Sequence, residues 1–281
     1  MDVFTKYAGP YGAKLQWFVD DISEYNHSPE KLQQIYRKIL SCVDLTTLEG
    51  SDTKERVSEL CSKAYSIADA GKNIPTVAAV CVYPPFVKQC KTELKGKGIN
   101  VASVAGAFPS GQSPIEVKVQ EVAYAVKEGA DEIDMVISRG KFLEGDYKTV
   151  SEEIKAIKAV CKDAHLKVIL ETGELLTPHN IRKALEIAIL AGADFIKTST
   201  GKMQPAATEL AAFVMCDRIL DYFNMTGILI GFKAAGGISE PEIAVRYYNI
   251  VNNILGEEWL NKNLFRIGAS RLVDNLLKVI H

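Results

Sequence analysis

Gly129-Ala130-Asp131-Glu132-Ile133-Asp134 and Gly192-Ala193-Asp194-Phe195-Ile196-Lys197 follow one pattern and align without a gap. Each begins where a helical stretch runs out on glycine, the residue that most readily adopts the left-handed conformation just past a helix end. Each continues into a short apolar run that reads as a strand. A helix feeding a buried strand is half of a parallel βα unit, and working outward from these two segments finds the same unit along the chain. Strand-like runs lie at 41–48 (SCVDLTTL), 76–83 (TVAAVCVY), 100–106 (NVASVAG), 131–137 (DEIDMVI), 166–173 (LKVILETG), 194–200 (DFIKTST), 227–237 (GILIGFKAAGG) and 264–270 (LFRIGAS). Helical patterns fill the intervals: from Gly50-Ser51-Asp52 to about Ala70, then 113–128, 147–163, 178–191, 205–223 and 239–256, with a last helix to the C-terminus.

Eight strands alternating with helices imply parallel βα units. The strands are nearly all apolar, as expected when both faces are covered. No G-x-G-x-x-G turn follows the first strand, which argues against an open doubly wound sheet. The sequence therefore predicts an α/β fold: a (β/α)8 TIM barrel over 41–281, with an N-terminal helical extension, 1–40, packed on it. No Gly/Pro/Ser-rich linker divides the chain, and its 281 residues suit one barrel with one core.

Composition removes several functional classes. A formal net charge of −2 leaves no basic surplus for nucleic acid and no polybasic membrane patch. The start has no continuous apolar core of a signal peptide, and no apolar run approaches a membrane span. A cytoplasmic protein acting on a small molecule is expected, and nothing opposes a homo-oligomer. Cys42, Cys61, Cys81, Cys90, Cys161 and Cys216 form no C-x-x-C pair and read as reduced thiols. His27, His165, His179 and His281 lack metal-ligand spacing, so neither a metal nor another cofactor is expected. Trp17 and Trp259 read as packing residues.

Active sites of this fold sit at the C-terminal ends of the strands. The polar residues there are Asp44 and Thr46, Asp134, Glu171, Lys197, Ser199, Thr200 and Lys233. The aligned segments put Asp134 and Lys197 at matching depths on strands four and six, both facing the axis, so they should share a layer. A structural ion-pair network would explain the charges alone. Two lysines in one apolar ring point further. A lysine must be neutral to attack a carbonyl, and both desolvation and a second cation lower its pKa. A nearby carboxylate can then move protons between carbinolamine, imine and enamine. The residues leave open which lysine attacks and which tunes. Three glycine-bearing turns follow strands six to eight: Thr200-Gly201-Lys202, Gly236-Gly237 and Gly268-Ala269-Ser270. Backbone N–H groups at such turns can approach a phosphate closely.

At these motifs the chain resembles the deoxyribose-phosphate aldolase family, and its animal-type branch in particular. The resemblance spans about residues 40 to 281. It rests on Asp44-Leu-Thr-Thr-Leu48, Ala79-Val-Cys-Val-Tyr-Pro84, Glu132-Ile-Asp-Met-Val136, Glu171-Thr-Gly-Glu-Leu175, Asp194-Phe-Ile-Lys-Thr-Ser-Thr-Gly-Lys202, Gly231-Phe-Lys233 and Phe265-Arg-Ile-Gly-Ala-Ser270. It implies a metal-independent class I aldolase with Lys197 as the Schiff-base residue and Asp134 and Lys233 as its proton relay. The implied reaction is reversible cleavage of 2-deoxy-D-ribose 5-phosphate to D-glyceraldehyde 3-phosphate and acetaldehyde, in deoxyribose phosphate catabolism. Substrate contacts are expected from Asp44, Thr46, Thr200, Gly201, Lys202, Gly236, Gly237, Gly268, Ala269 and Ser270. Three features depart from the family pattern: Ala234 where proline is frequent, Arg271 where a small residue is common, and an ending, Ile280-His281, without the tyrosine of some members. The competing readings are another Schiff-base barrel aldolase or transaldolase, and a non-catalytic phosphate-binding barrel.

Overall fold

The computed structural model describes residues 19–23, 26–71 and 73–281. Eight strands, β1 (Val43–Thr46), β2 (Ala79–Val82), β3 (Asn100–Ala105), β4 (Glu132–Val136), β5 (His165–Ile169), β6 (Phe195–Lys197), β7 (Gly231–Ala235) and β8 (Phe265–Ala269), close in chain order into a parallel barrel in which β8 pairs with β1. Residues 19–23 are helical, and the α-helices with both ends among the described residues are α1 (Pro29–Leu40), α2 (Lys54–Ser66), α3 (Val87–Glu93), α4 (Ile115–Lys127), α5 (Arg139–Leu143), α6 (Tyr147–Cys161), α7 (Thr172–Leu175), α8 (Pro178–Leu190), α9 (Glu209–Thr226), α10 (Pro241–Ile254) and α11 (Leu272–Val279).

Local chemistry sets many of the boundaries. Ser28, Thr53, Asp146, Thr177 and Thr208 each accept a hydrogen bond from a first-turn backbone N–H, and proline opens α1, α8 and α10. Gly129 and Gly192, the glycines that open the aligned segments, take φ +104° and +100°. The strand read at 194–200 stops at Lys197. Beyond it the Ser199 hydroxyl donates to the Ala235 carbonyl and Thr200 turns toward Glu171, so the side chains there replace the ladder. The short helices α5 and α7 carry too few residues to leave a periodic signal.

Outward-facing strand residues such as Val80, Val101, Ile133, Val168, Ile196, Phe232 and Ile267 join one continuous core beneath the helices. Inside the barrel, Ala79, Cys81, Ala102 and Val104 form a small separate apolar cluster with Leu48 along β2 and β3. The rest of the lumen is charged. Asp134 pairs in register with Lys167, and Lys167 with Phe195, two positions short of Lys197. A barrel of this kind slips about one residue per strand, so two strands on, Asp134 and Lys197 arrive at one height.

The helix α1 packs on α10 and α11, with Gln33 Nε2 donating to the Val279 carbonyl at 2.7 Å. Trp17, with the rest of residues 1–18, lies outside the described residues. Trp259 is buried and donates from Nε1 to Ile230 O at 2.9 Å. All six cysteines are buried and free. Among the described residues no helix is long and apolar enough to cross a membrane.

Candidate active site

The C-terminal mouth of the barrel opens into a cavity of about 400 Å³. Its walls are the turns singled out in the sequence. Thr200, Gly201 and Lys202 come from β6, Gly236 and Gly237 from β7, Gly268, Ala269 and Ser270 from β8, and Thr46 from β1. Arg271 lines it as well. The β6 and β7 turns meet backbone to backbone. A Cβ on Gly236, whose φ is +90°, would fall 2.5 Å from Ala206 Cβ and 3.0 Å from Gly201 Cα. Only glycine allows that approach. At the mouth, Lys202 Nζ pairs with Glu49 at 3.0 Å across to the β1 side.

Lys197 lines this cavity, whereas Asp134 and Lys233 lie buried in the lumen. Lys197 Nζ donates to Asp134 Oδ2 at 2.8 Å, and Lys233 Nζ donates to the same oxygen at 2.7 Å. The two lysines are register partners on β6 and β7. The expected shared layer is therefore present as a direct contact. Their surroundings push them apart. Burial lowers the Lys197 pKa, and the Lys233 ammonium lowers it further. Asp134 opposes both without overcoming them. Lys233 is also desolvated, but Asp134 and Asp44 together hold its pKa above that of an ordinary lysine. Asp134 is desolvated too, yet Lys167, Lys197 and Lys233 hold its carboxyl well below the usual range. The site thus contains one lysine poised toward the neutral amine beside one fixed as a cation.

Asp44, expected among the substrate contacts, is fully buried and absent from the cavity wall. It accepts from Lys233 Nζ and from Arg266 Nη1, so its place is under Lys233 in the lumen. Three lumen residues escaped the sequence reading. Lys167 donates to Glu132 and, at 2.9 Å, to Asp134 Oδ1. Arg266 donates to Glu132 at 2.6 and 3.0 Å. The signal was present: Lys167 alternates with Ile169 and Glu171, and Arg266 with Gly268 and Ser270, on the inward face. Arg139, in the short α5, also went unread. It pairs with the buried Glu171 at 3.0 Å. Among the described residues no group of three or more His, Cys, Asp or Glu is placed to hold a metal.

A closed (β/α)8 barrel with a pKa-lowered lysine at its mouth, a second lysine and a carboxylate at its side and glycine turns above defines an aldolase of the amine-nucleophile class. The comparisons agree. The model of the DeoC/LacD family of aldolases matches residues 38–246. The deoxyribose-phosphate aldolase of Homo sapiens is 45% identical over 255 residues, covering 87% of this chain and 80% of the human protein. That of Bos taurus is 44% identical over 255 residues, with the same coverage. Among solved structures, the tetrameric deoxyribose phosphate aldolase of Aeropyrum pernix aligns with TM-score 0.68 and 25% identity, over 96% of this chain and 97% of that one. This chain belongs to the DeoC/LacD aldolase family.

Proposed function

We propose that this protein cleaves 2-deoxy-D-ribose 5-phosphate reversibly to D-glyceraldehyde 3-phosphate and acetaldehyde, with Lys197 as nucleophile. The observation that carries the assignment is the split between the two lysines. Lys197 alone of the pair reaches the cavity and is pushed toward its neutral form, while Lys233 is held protonated by two carboxylates.

The Lys197 amine adds to the C1 carbonyl, and the carbinolamine loses water to give an iminium. The electrons of the C2–C3 bond then move into the iminium and form an enamine, while the C3 hydroxyl gives up its proton and becomes the aldehyde of glyceraldehyde 3-phosphate. Protonation of the enamine at C2 and hydrolysis release acetaldehyde and free the lysine. Asp134, hydrogen-bonded to both lysines, is the group through which these protons pass, with Lys233 as its partner. Asp44 serves by holding Lys233 charged rather than by touching substrate. The phosphate would sit against the N–H groups of the β6, β7 and β8 turns, Thr200 to Lys202, Gly236-Gly237 and Gly268 to Ser270, with Thr46 of the neighbouring β1 also lining the cavity. The 45% and 44% identity to the human and bovine deoxyribose-phosphate aldolases supports this substrate over other sugar phosphates. A cytoplasmic location and a homo-oligomer complete the proposal, the latter supported by the tetrameric relative.

Borohydride added with acetaldehyde tests the assignment. The label should map to Lys197. Lys233→Leu removes a cation that lowers the Lys197 pKa, so the surviving activity should need a more alkaline pH. A label on Lys233, or activity with pyruvate or dihydroxyacetone as donor but not acetaldehyde, would overturn it.

A further inference from the structure

The strongest feature outside the lysine site is a chain of hydrogen bonds along the rim. Glu171 is fully buried and non-glycine, yet it holds φ +57° in the left-handed region, a conformation that persists only where surroundings enforce it. Its carboxylate receives three bonds. Thr200 N donates to Oε1 at 3.1 Å, and Thr200 Oγ1 donates to Oε2 at 2.5 Å. Arg139 Nη1 donates to Oε2 at 3.0 Å. Thr200 Oγ1 in turn accepts from Lys202 N at 3.1 Å, which closes the Thr200-Gly201-Lys202 turn. Arg139 is itself fixed from two further sides, by Glu174 at 2.8 Å and by the Ser110 carbonyl at 3.0 Å. One guanidinium and one carboxylate thus tie together the loops that follow β3, β4, β5 and β6. The last of them walls the cavity.

We infer that Glu171, fixed by Arg139, is a positioning residue that holds the Thr200-Gly201-Lys202 turn in the geometry that receives the phosphate-bearing end of the substrate. Glu171 is absent from the cavity wall, so it acts through Thr200. The chemistry of the turn explains the need. A glycine at φ +76° gives Gly201 no conformational restraint of its own, and its Cα must remain against Gly236 for the two turns to share one ligand. A buried carboxylate accepting both the backbone N–H and the hydroxyl of the preceding residue supplies that restraint, and the Arg139 charge offsets the cost of burying it. The inference rests on the aldolase reading above.

Its test compares the phosphorylated and unphosphorylated sugars. In Glu171→Gln, kcat/KM for 2-deoxyribose 5-phosphate should fall about tenfold or more, mainly through KM. The value for 2-deoxyribose, and the rate at which borohydride traps acetaldehyde on Lys197, should stay within about twofold of the wild type. Arg139→Met should reproduce the effect and serves if the first variant fails to fold. Arg139→Lys should recover part of it, and the double variant should be no worse than either single one. An unchanged preference for the phosphorylated sugar in both single variants would overturn the inference. So would a parallel loss of imine trapping, since that marks general damage. Failure of the aldolase reading looks different: the wild type itself would show no cleavage or no preference for phosphate, and the clasp would fall with it.

Discussion

The lumen and the rim of this barrel hold charge in opposite ways. In the lumen, Asp44, Glu132, Asp134, Lys167, Lys233 and Arg266 are fully buried or nearly so, and every carboxylate touches at least two cations. At the rim the cavity is walled largely by glycine turns, and its side-chain pair Lys202–Glu49 is open to water. A lumen charge has no solvent to fall back on, so its partners fix both its protonation and its position. The Lys202 and Glu49 charges are screened, and recognition by the turns they flank falls to backbone geometry. Lys197, the proposed nucleophile, stands at the boundary: its side chain is 4% exposed, with the lumen's charges below and the cavity above.

Four substitutions can break or sharpen that contrast. Lys197→Ala should have the largest effect, removing the proposed Schiff-base nucleophile. Loss of turnover on the order of 10⁴-fold or more is expected in an acetaldehyde-release assay. Glu132→Gln should come next, as a loss of folding stability of about 3–5 kcal/mol by denaturant titration, because Lys167 and Arg266 would be left partly uncompensated in a sealed space. Lys167 and Arg266 hold the Glu132 carboxyl below its ordinary pKa. Its contribution is therefore complete above an unfolded value of about 4.3 and fades as pH falls below it, so the gap between variant and wild type should narrow in acid. A gap independent of pH would mean that shape, not charge, holds that position.

Gly236→Val addresses the rim. The β6 and β7 turns would have to part, and about 10²-fold of the preference for the phosphorylated sugar should disappear from kcat/KM. The smallest effect is expected for Glu49→Gln, which breaks the exposed Lys202 pair. Stability should change by less than about 1 kcal/mol, and less still in high salt. A Glu49 effect as large as that of Glu132 would erase the distinction between the two regions.

The same contrast explains what the sequence made legible. The rim was readable because glycine and threonine at strand ends are local signals, and the eightfold alternation placed those ends together. Asp134 and Lys197 were readable because two segments of matching form located them relative to one another. Lys167 and Arg266 were overlooked for a physical reason. Arg266 lies one layer below Lys197, toward the strand start, where a search confined to strand ends does not look. Lys167 shares the height of Lys233 but was passed over for Glu171, nearer the end of its strand. Their inward direction follows from alternation, but their pairing depends on the barrel's slip, a property of closure rather than of any one strand. Asp44 is the converse case: it stands near the end of the short β1, yet that strand places it in the layer beneath the cavity. Arg139 belongs to a five-residue helix, and its role exists only through the loops it joins.

The lumen also sets an electrical condition on the reaction. Leaving Lys197 aside, three acids, Asp44, Glu132 and Asp134, face three bases, Lys167, Lys233 and Arg266. The compartment is electroneutral with Lys197 as a free amine. Forming the iminium puts an unmatched positive charge at its lid, where little water can spread it. Passing to the enamine neutralises the nitrogen, but the proton given up by the C3 hydroxyl carries the excess positive charge to Asp134. On the proposed mechanism the resting architecture therefore acts like a spring wound by the first chemical step, and it stays one charge in excess until hydrolysis of the product iminium returns the proton and frees the amine.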